Sequence, residues 1–421
     1  MKQNDLSLAY EEISEKVRPY SRLYSYFDGH PALVYSTERL SRAFGKSFVY
    51  FAQNWGAVII NAVLDRLILK GFNSSDDRIN LKMDAIFNKL NLNLDAQDVH
   101  ESLQVTGEAF LIVDKVVDSY DIYFNDPRLC EVYYDPNRPK IKKYAAKRWL
   151  GEDGSYMNLY YTDRTEKYYS QSGNTAKSYQ LIETIPNELG IIPVFHFRNS
   201  RRIIKGELGA SEISELDAIN KLFSDLMVAA EFEAFKVRVF ISQVDPGDTK
   251  IGPDMKIWIP ANESAGSQDS NVIELGGSSL QNFLEPINSI AQSLAIQTRT
   301  PKTYFMATGA NLSGEALLVE EAPLVKKVQL KQEAYSPVWA EAMAYILELG
   351  GDKVEVSDIT PVWAPVITEQ PLTNAQIMVQ EKQAGLPLAS ILRRQGISEG
   401  DINQIMEDSK TNVVIPEPVV L

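Results

Sequence analysis

Cysteine is nearly absent: Cys130 is the only one in 421 residues. One thiol closes no disulfide within a chain and builds no cysteine-based zinc site. Lying beside Leu129 and ahead of Val132, it reads as a small core residue. Histidine is almost as scarce. His30, His100 and His196 stand far apart, with no fixed pattern of Asp, Glu or Cys around them, so metal ligation and histidine-based hydrolysis find no foothold. No apolar run approaches the roughly 18 residues that would span a bilayer, and Met1-Lys2-Gln3-Asn4-Asp5 does not open a signal peptide. The sequence thus predicts a soluble, cytoplasmic protein with no membrane partner, no metal and no cofactor.

Positive charge is short as well, with 42 Lys and Arg against 56 Asp and Glu, a net charge of −14. Tight binding to duplex DNA draws its affinity from Lys and Arg that displace counterions from phosphates, so an ordinary tight DNA binder is disfavoured. Gly45-Lys46-Ser47 matches the end of a phosphate-binding loop. The glycine needed five residues earlier is Leu40, however, and no buried strand precedes it. If the protein serves an ATP-driven process, the ATPase is another polypeptide, and the chain itself reads as no enzyme.

What is present is a sizeable core: 44% of residues are hydrophobic and 10% aromatic. At about 100–200 residues per domain, the length implies two to four units. Helices are expected over residues 7–19, 35–70 and 95–106, the second carrying an apolar stripe through Val58, Ile59, Ala62, Val63 and Leu67 before Gly71 ends it. The period then becomes strand-like at Ala109–Val113 and Ile122–Phe124. From Lys142 to Phe197, Tyr- and Lys-rich runs alternate with turn clusters and predict an antiparallel meander with one solvated face.

Between Gly209 and Phe235 the pattern predicts one helix about 40 Å long. Its apolar side carries Ile213, Leu216, Ile219, Leu222, Phe223, Leu226 and Ala230. Its other side is acidic: Glu207, Glu212, Glu215, Asp217, Asp225, Glu231 and Glu233 stand against Lys221. Three short strands follow, at Val237–Ser242, Met255–Ile259 and Asn271–Leu275, then a second helix through Ile287, Ile290 and Leu294, with Pro286 in its first turn or at a kink. Ser313 is placed to N-cap a long helix reaching Leu349, with Glu315, Glu320 and Glu321 near its positive end. Pro323 and Pro337 argue for a bent course, and Gly350-Gly351 for its end. Lys353–Ile359 reads as a strand, and shorter helices are expected at about 373–384, 387–395 and 398–408.

One ordered set of motifs points further. Thr300-Pro301-Lys302-Thr303-Tyr304-Phe305, a Gly-containing loop and Asn311-Leu312-Ser313-Gly314-Glu315-Ala316-Leu317 are preceded by three others. These are Gly107 before a strand, Asn125-Asp126-Pro127 with Asp135 downstream, and Gly190-Ile191-Ile192-Pro193-Val194 ending in Phe197-Arg198-Asn199. In this order, from Tyr24 to Trp363, they resemble the core of tailed-bacteriophage portal proteins, the head-to-tail connector rings. The chain departs from that pattern in having fewer than 60 residues after Trp363. It also has Ala295-Ile296-Gln297-Thr298 where a glycine before the proline is usual.

The resemblance implies an α+β fold with 1–205 as the wing, to which 351–369 return, and 206–238 as the first stem helix. It makes 239–276 the clip, 277–298 the second stem helix and 299–312 the tunnel loop. A long kinked wing helix takes 313–350, and a crown and tail take 370–421. It implies a ring of about twelve subunits at one capsid vertex of the virion, assembled in the host cytoplasm, through which double-stranded DNA is packaged and ejected. Partners would be the terminase large subunit, the major capsid and scaffolding proteins and a head–tail adaptor. Glu212, Glu215, Asp217 and Asp225 would form an acidic channel wall that lets phosphates pass without sticking. Arg299, Lys302, Tyr304, Gly309 and Asn311 would belong to the tunnel loop, and Lys326, Lys327 and Lys331 to subunit contacts. The alternatives are a nucleic-acid packaging enzyme, which would need clustered carboxylates or a complete phosphate loop, and a non-portal head–tail adaptor, which has no need of stem and loop.

Overall fold

A computed structural model of the chain describes residues 2–31, 53–116, 119–234, 237–242, 256–260, 271–275, 280–306, 314–367, 378–394, 397 and 399–411. In chain order, α1 is Lys2–Phe27, α2 Trp55–Leu64, β1 Leu69–Asn73, α3 Asp77–Lys89 and α4 Leu92–Val105. Then come β2 Glu108–Val116, β3 Ser119–Asn125, β4 Cys130–Asp135, β5 Arg138–Leu150, β6 Ser155–Tyr160, β7 Arg164–Ser170, β8 Gln180–Pro186 and β9 Val194–Arg198. The helix α5, Ala210–Ala234, precedes β10 Val237–Ser242, β11 Lys256–Pro260, β12 Asn271–Leu275 and α6 Gln281–Thr298. Last are α7 Gly314–Leu349, β13 Thr360–Trp363, α8 Leu388–Arg394 and α9 Glu399–Thr411. Two compact units divide these elements: residues 1–27, 57–209 and 311–421 form one, residues 28–56 and 210–310 the other.

In the first unit, β4 to β8 make the expected antiparallel meander in simple sequence order. Its first strand begins at Cys130, and its last ends at Pro186 rather than Phe197. The segment Val194–Arg198 leaves it to pair with β2 in a separate sheet of order β3-β2-β9, with Phe110 opposite His196. Strand pairing over such a distance leaves no local trace. The two sheets meet through a shared core in which Phe110, Ile112 and Val194 pack with Val132, Ala145, Tyr160 and Cys130. Burial pushes the Cys130 thiol up to about 12, so it stays protonated and behaves as a small hydrophobe. On the meander, α1 lays Leu6, Ala9 and Ile13 at i, i+3 and i+7 against Tyr144, Met157 and Leu159.

Two further expectations in this unit need correction. The helix expected over 35–70 is seen only as α2; residues 32–52 lie outside the described set, and Leu69–Asn73 is a strand. It pairs antiparallel with β13, Phe72 opposite Pro361, so a partner far along the chain overrides the local helical pattern. The strand expected at Lys353–Ile359 instead begins at Thr360, after one turn of 3-10 helix at Val356–Asp358. The long helix α7 carries Pro323 and Pro337 within it. It ends as the glycines predict. Gly351 takes φ +90°, its N–H bonds Glu348 O at 3.0 Å, and Asp352 N–H reaches back to Leu347 O at 2.9 Å, closing a Schellman motif.

A buried charge assembly links α1 to the sheet of β2 and β9. Glu108 accepts from Lys16 Nζ at 2.6 Å, Tyr20 Oη at 2.7 Å and His196 Nε2 at 2.9 Å, and Lys16 also pairs with Glu131. Burial works against the Glu108 charge, but the hydrogen bond from His196 and the Lys16 ammonium outweigh it and bring the carboxyl down to about 2. Burial also lowers His196, to about 4, against the pull of Glu108. The neutral ring donates from Nε2 and leaves Nδ1 to accept from Tyr134 Oη at 3.3 Å.

His100, lowered to about 3 by burial, accepts from Trp339 Nε1 at 3.2 Å, a bond that only a ring free of a proton at Nε2 can make. Both histidines bind fewer protons folded than unfolded, so each contributes stability that is complete above pH 6.5 and declines as pH falls toward its folded value. Lowering pH from 7 to 5 should therefore cost roughly 2 kcal/mol per histidine. Denaturant unfolding at the two pH values checks this, and replacing His100 by a neutral residue should remove about half of the pH dependence.

The second unit holds α5, α6 and a three-stranded sheet of order β11-β10-β12. Its central strand runs parallel to β11 and antiparallel to β12. The strands fall where the sequence places them, to within one residue. Ile257, Trp258, Ile259, Val272 and Ile273 remain exposed on this small sheet.

Candidate channel helices and their anchor

The helices α5 and α6 pack through spaced apolar and small residues. Ile213, Leu216, Asn220 and Ser224 are buried on one, and Ile287, Ala291, Leu294 and Thr298 on the other. Both sets step by three and four residues, the repeat that keeps one helix face against a neighbour. The start of α5 lies beside the end of α6, because Glu215 Oε1 accepts from Ser293 Oγ at 2.8 Å and from Gln297 Nε2 at 2.7 Å. Only the first half of the predicted apolar stripe is deeply buried. Leu222, Phe223 and Leu226 are half-buried, and Phe223 meets Trp55 edge-on at 6.1 Å. Pro286 sits in the second turn of α6.

These contacts reassign the acidic face. Glu207 lies before α5 and is buried in the first unit. Glu212 is buried, Glu215 is occupied by the two α6 side chains, and Asp225 pairs with Lys221 one turn away. Asp217 is half-buried. The side chains of Glu231 and Glu233 lie outside the described residues, as do Gly309, Asn311, Ser313 and Gly45-Lys46-Ser47.

At the end of α6, Arg299 adopts φ +55° and closes a second Schellman motif: its N–H bonds Ile296 O at 3.4 Å, and Thr300 N–H bonds Ala295 O at 3.1 Å. This joint follows Ala295-Ile296-Gln297-Thr298, where the resemblance anticipates a glycine. Thr298 and Thr300 are buried behind it, with Thr298 Oγ1 donating to Leu294 O at 2.6 Å. One 3-10 turn, Lys302–Tyr304, follows and delivers Phe305 to Trp55 at 5.3 Å between ring centroids. Arg299 is exposed, and Lys302 and Tyr304 are half-buried. A non-glycine residue in the left-handed region costs about 1–2 kcal/mol, and glycine carries its own entropic penalty of roughly half that. Arg299→Gly should therefore raise stability by about 0.5–1 kcal/mol, read as a higher urea midpoint; a loss would show that the Arg299 side chain holds the joint.

The segment that leads into α5 is anchored within the first unit. Lys327 and Lys331, one turn apart on α7, both reach Glu207 at 2.8 Å, and the three side chains are only 12%, 14% and 9% exposed. Burial opposes the charge on Glu207, but the two ammonium groups outweigh it and hold the carboxyl at about 2. The acid that Lys327 and Lys331 pair with thus belongs to their own chain, while Lys326 is exposed. Glu207 N–H also donates to Gln104 O at 2.7 Å, and Asn199 Nδ2 bonds Leu103 O and Lys205 O. The crossing is so close that a Cβ on Gly206 would lie 2.2 Å from Val105 O, and one on Gly107 2.4 Å from the Lys205 backbone. Sequence reasoning grouped Glu207 with the helix face. The available signal was the Gly-Glu pair ahead of the helix together with two lysines spaced i, i+4 on another.

A helix, a small sheet, a second helix, a 3-10 turn and a 36-residue helix thus follow one another in the order the motifs imply. The family model for phage portal protein, SPP1 Gp6-like, matches residues 11–410. The chain belongs to that family. It is 25% identical over 324 residues to the portal protein of Mycobacterium phage L5, covering 70% of this chain and 64% of that one. To the portal protein of Mycobacterium phage D29 it is 22% identical over 359 residues, covering 76% and 71%. The chain therefore spans just under two thirds of the L5 relative. Among solved structures it is similar to a chain from the neck of an empty gene transfer agent particle, with TM-score 0.48, 12% identity and coverage of 87% of this chain and 95% of that one. A chain from the virion of the native particle gives TM-score 0.47 at 12% identity, with coverage of 90% and 98%. No described helix of this portal-family chain is long and apolar enough to cross a membrane.

Proposed function

We propose that this portal-family chain assembles into the ring at one capsid vertex through which double-stranded DNA is packaged and ejected. The observation that carries the reading is the family match over residues 11–410, joined to the element order from α5 to α7. In this reading α5 and α6 are the stem, Arg299–Leu312 is the tunnel loop, and the sheet of β10–β12 is the clip on which the terminase, and later a head–tail adaptor, docks. Support for the docking role comes from Trp258 and its neighbours Ile257 and Ile259, whose exposure on a three-stranded sheet suits a partner surface. Scaffolding and major capsid proteins would surround the first unit, and residues 370–421 would form a compact crown.

Cyclic symmetry repeats one set of side chains around a passage, so modest charge on each subunit sums to a strong field. The acidic wall then rests mainly on Asp217, since Glu212 is buried, Glu215 is held by α6 and Asp225 is paired with Lys221. Changing Asp217 to asparagine should slow DNA filling several-fold in a packaging assay with rings that assemble normally. Unchanged filling would remove the wall from the account while leaving the ring intact.

A further inference from the structure

The chain carries net charge −14, yet one cleft of its first unit is lined by cations. It opens where β5, the end of β9 and the middle of α7 converge, and encloses about 380 Å³. Lys140, Lys142, Arg198 and Arg201 surround it, with Glu341 as the one acid at the rim. Lys142 already pairs with Glu341 at 2.9 Å. Lys140, Arg198 and Arg201 have no carboxylate partner among the described residues. The cleft therefore presents about three uncompensated positive charges.

The site is ordered as well as charged. Arg198 closes β9 in register with Glu108, and its guanidinium lies 4.3 Å over the Tyr134 ring, which fixes the fork in one plane. Tyr134 is in turn tied to His196. Behind it, Glu108 and Glu131 share the single Lys16 ammonium, so about one negative charge stands behind the three cations of the rim. The remaining wall is apolar, with Ile191, Ile192 and Val338 beside the cations. A planar guanidinium favours bidentate partners, carboxylate or phosphate. The shape disfavours the phosphates of a duplex. A duplex offers phosphates on a broad convex surface, whereas this cleft is a depression with room for about a dozen waters at ~30 Å³ each, the size of two or three side chains.

We propose that this cleft binds an acidic peptide segment of a partner protein, with Arg198 taking one carboxylate in a fork and Lys140 and Arg201 taking flanking acids. The partner is identified by its chemistry, consecutive Asp or Glu side chains, and charge complementarity selects it. The site is independent of the channel reading, because it uses no residue of the second unit.

Fluorescence anisotropy of a labelled hexaglutamate peptide and of a labelled short DNA duplex, titrated with the full-length protein at low salt, tests the proposal. The peptide should bind saturably, and the rim variant Lys140→Glu/Arg201→Glu, which alters only exposed side chains, should weaken it at least tenfold. Arg198→Lys, which keeps the charge and loses the fork, should weaken it several-fold. Absence of saturable peptide binding, or peptide binding equal in wild type and rim variant, overturns the proposal. So does tighter binding of the duplex that the same rim variant abolishes, which would assign the cleft to phosphates.

Discussion

Replacing Glu207 by alanine should lower the stability of the folded chain by about 3–5 kcal/mol, the cost of stranding buried cations without their counter-charge. Two lysines from α7 converge on this single carboxylate, and their side chains are only 12% and 14% exposed. Glu207→Gln keeps the shape and one acceptor but not the charge, and should fall between alanine and wild type. Lys327→Met leaves a one-to-one pair and should cost least. Urea unfolding followed by the emission of Trp339 and Trp363, which lie in the same unit, measures the series. The pH dependence supplies an independent signature. A carboxyl held at about 2 contributes stability that is fully present above pH 4.5 and is lost as pH falls toward 2, and the alanine variant should lack that part of the acid sensitivity. A loss below 1 kcal/mol would show that the buried triad does not anchor the entry to α5.

The second large effect is steric. Gly206→Ala should cost on the order of 4 kcal/mol or more, because the added methyl would sit 2.2 Å from Val105 O and 2.5 Å from Gln104 O. Both obstacles are backbone at the junction of α4 and β2, so neither can rotate away. Gly107 meets the same crossing from the other side, at φ +95°. The control is Gly351→Ala: φ is left-handed there, at +90°, as at Gly107, but a Cβ would meet nothing within 4 Å. That change should cost only about 1–2 kcal/mol of backbone strain. Soluble yield and unfolding midpoint separate the two. A Gly206→Ala protein as stable as Gly351→Ala would mean the crossing can open.

These predictions rest on contacts the sequence only half discloses. Local signals placed the elements well where short-range physics decides: the meander turns, the three strands between α5 and α6, and the Gly350-Gly351 stop. They failed where a distant partner decides. Leu69–Asn73 is a strand because Thr360–Trp363 pairs with it, and Val194–Arg198 leaves the meander because β2 recruits it. The motif order reached the family, but the acidic face was read by counting charges, and counting cannot tell a solvated acid from one already engaged. Glu207 and Glu215 each have a partner on another helix that only packing reveals, while Asp225 pairs with Lys221 within α5. His196 read as an ordinary residue, for nothing local indicates that Glu108 and Tyr134 hold its ring nitrogens from opposite sides.

Averaged electron images of the purified protein, with its mass determined in solution, test the central claim most directly. The portal reading predicts a closed ring with a central hole and a mass near a dozen times 47.3 kDa. A protein that stays monomeric at high concentration and forms no ring even beside scaffolding or capsid protein would contradict it.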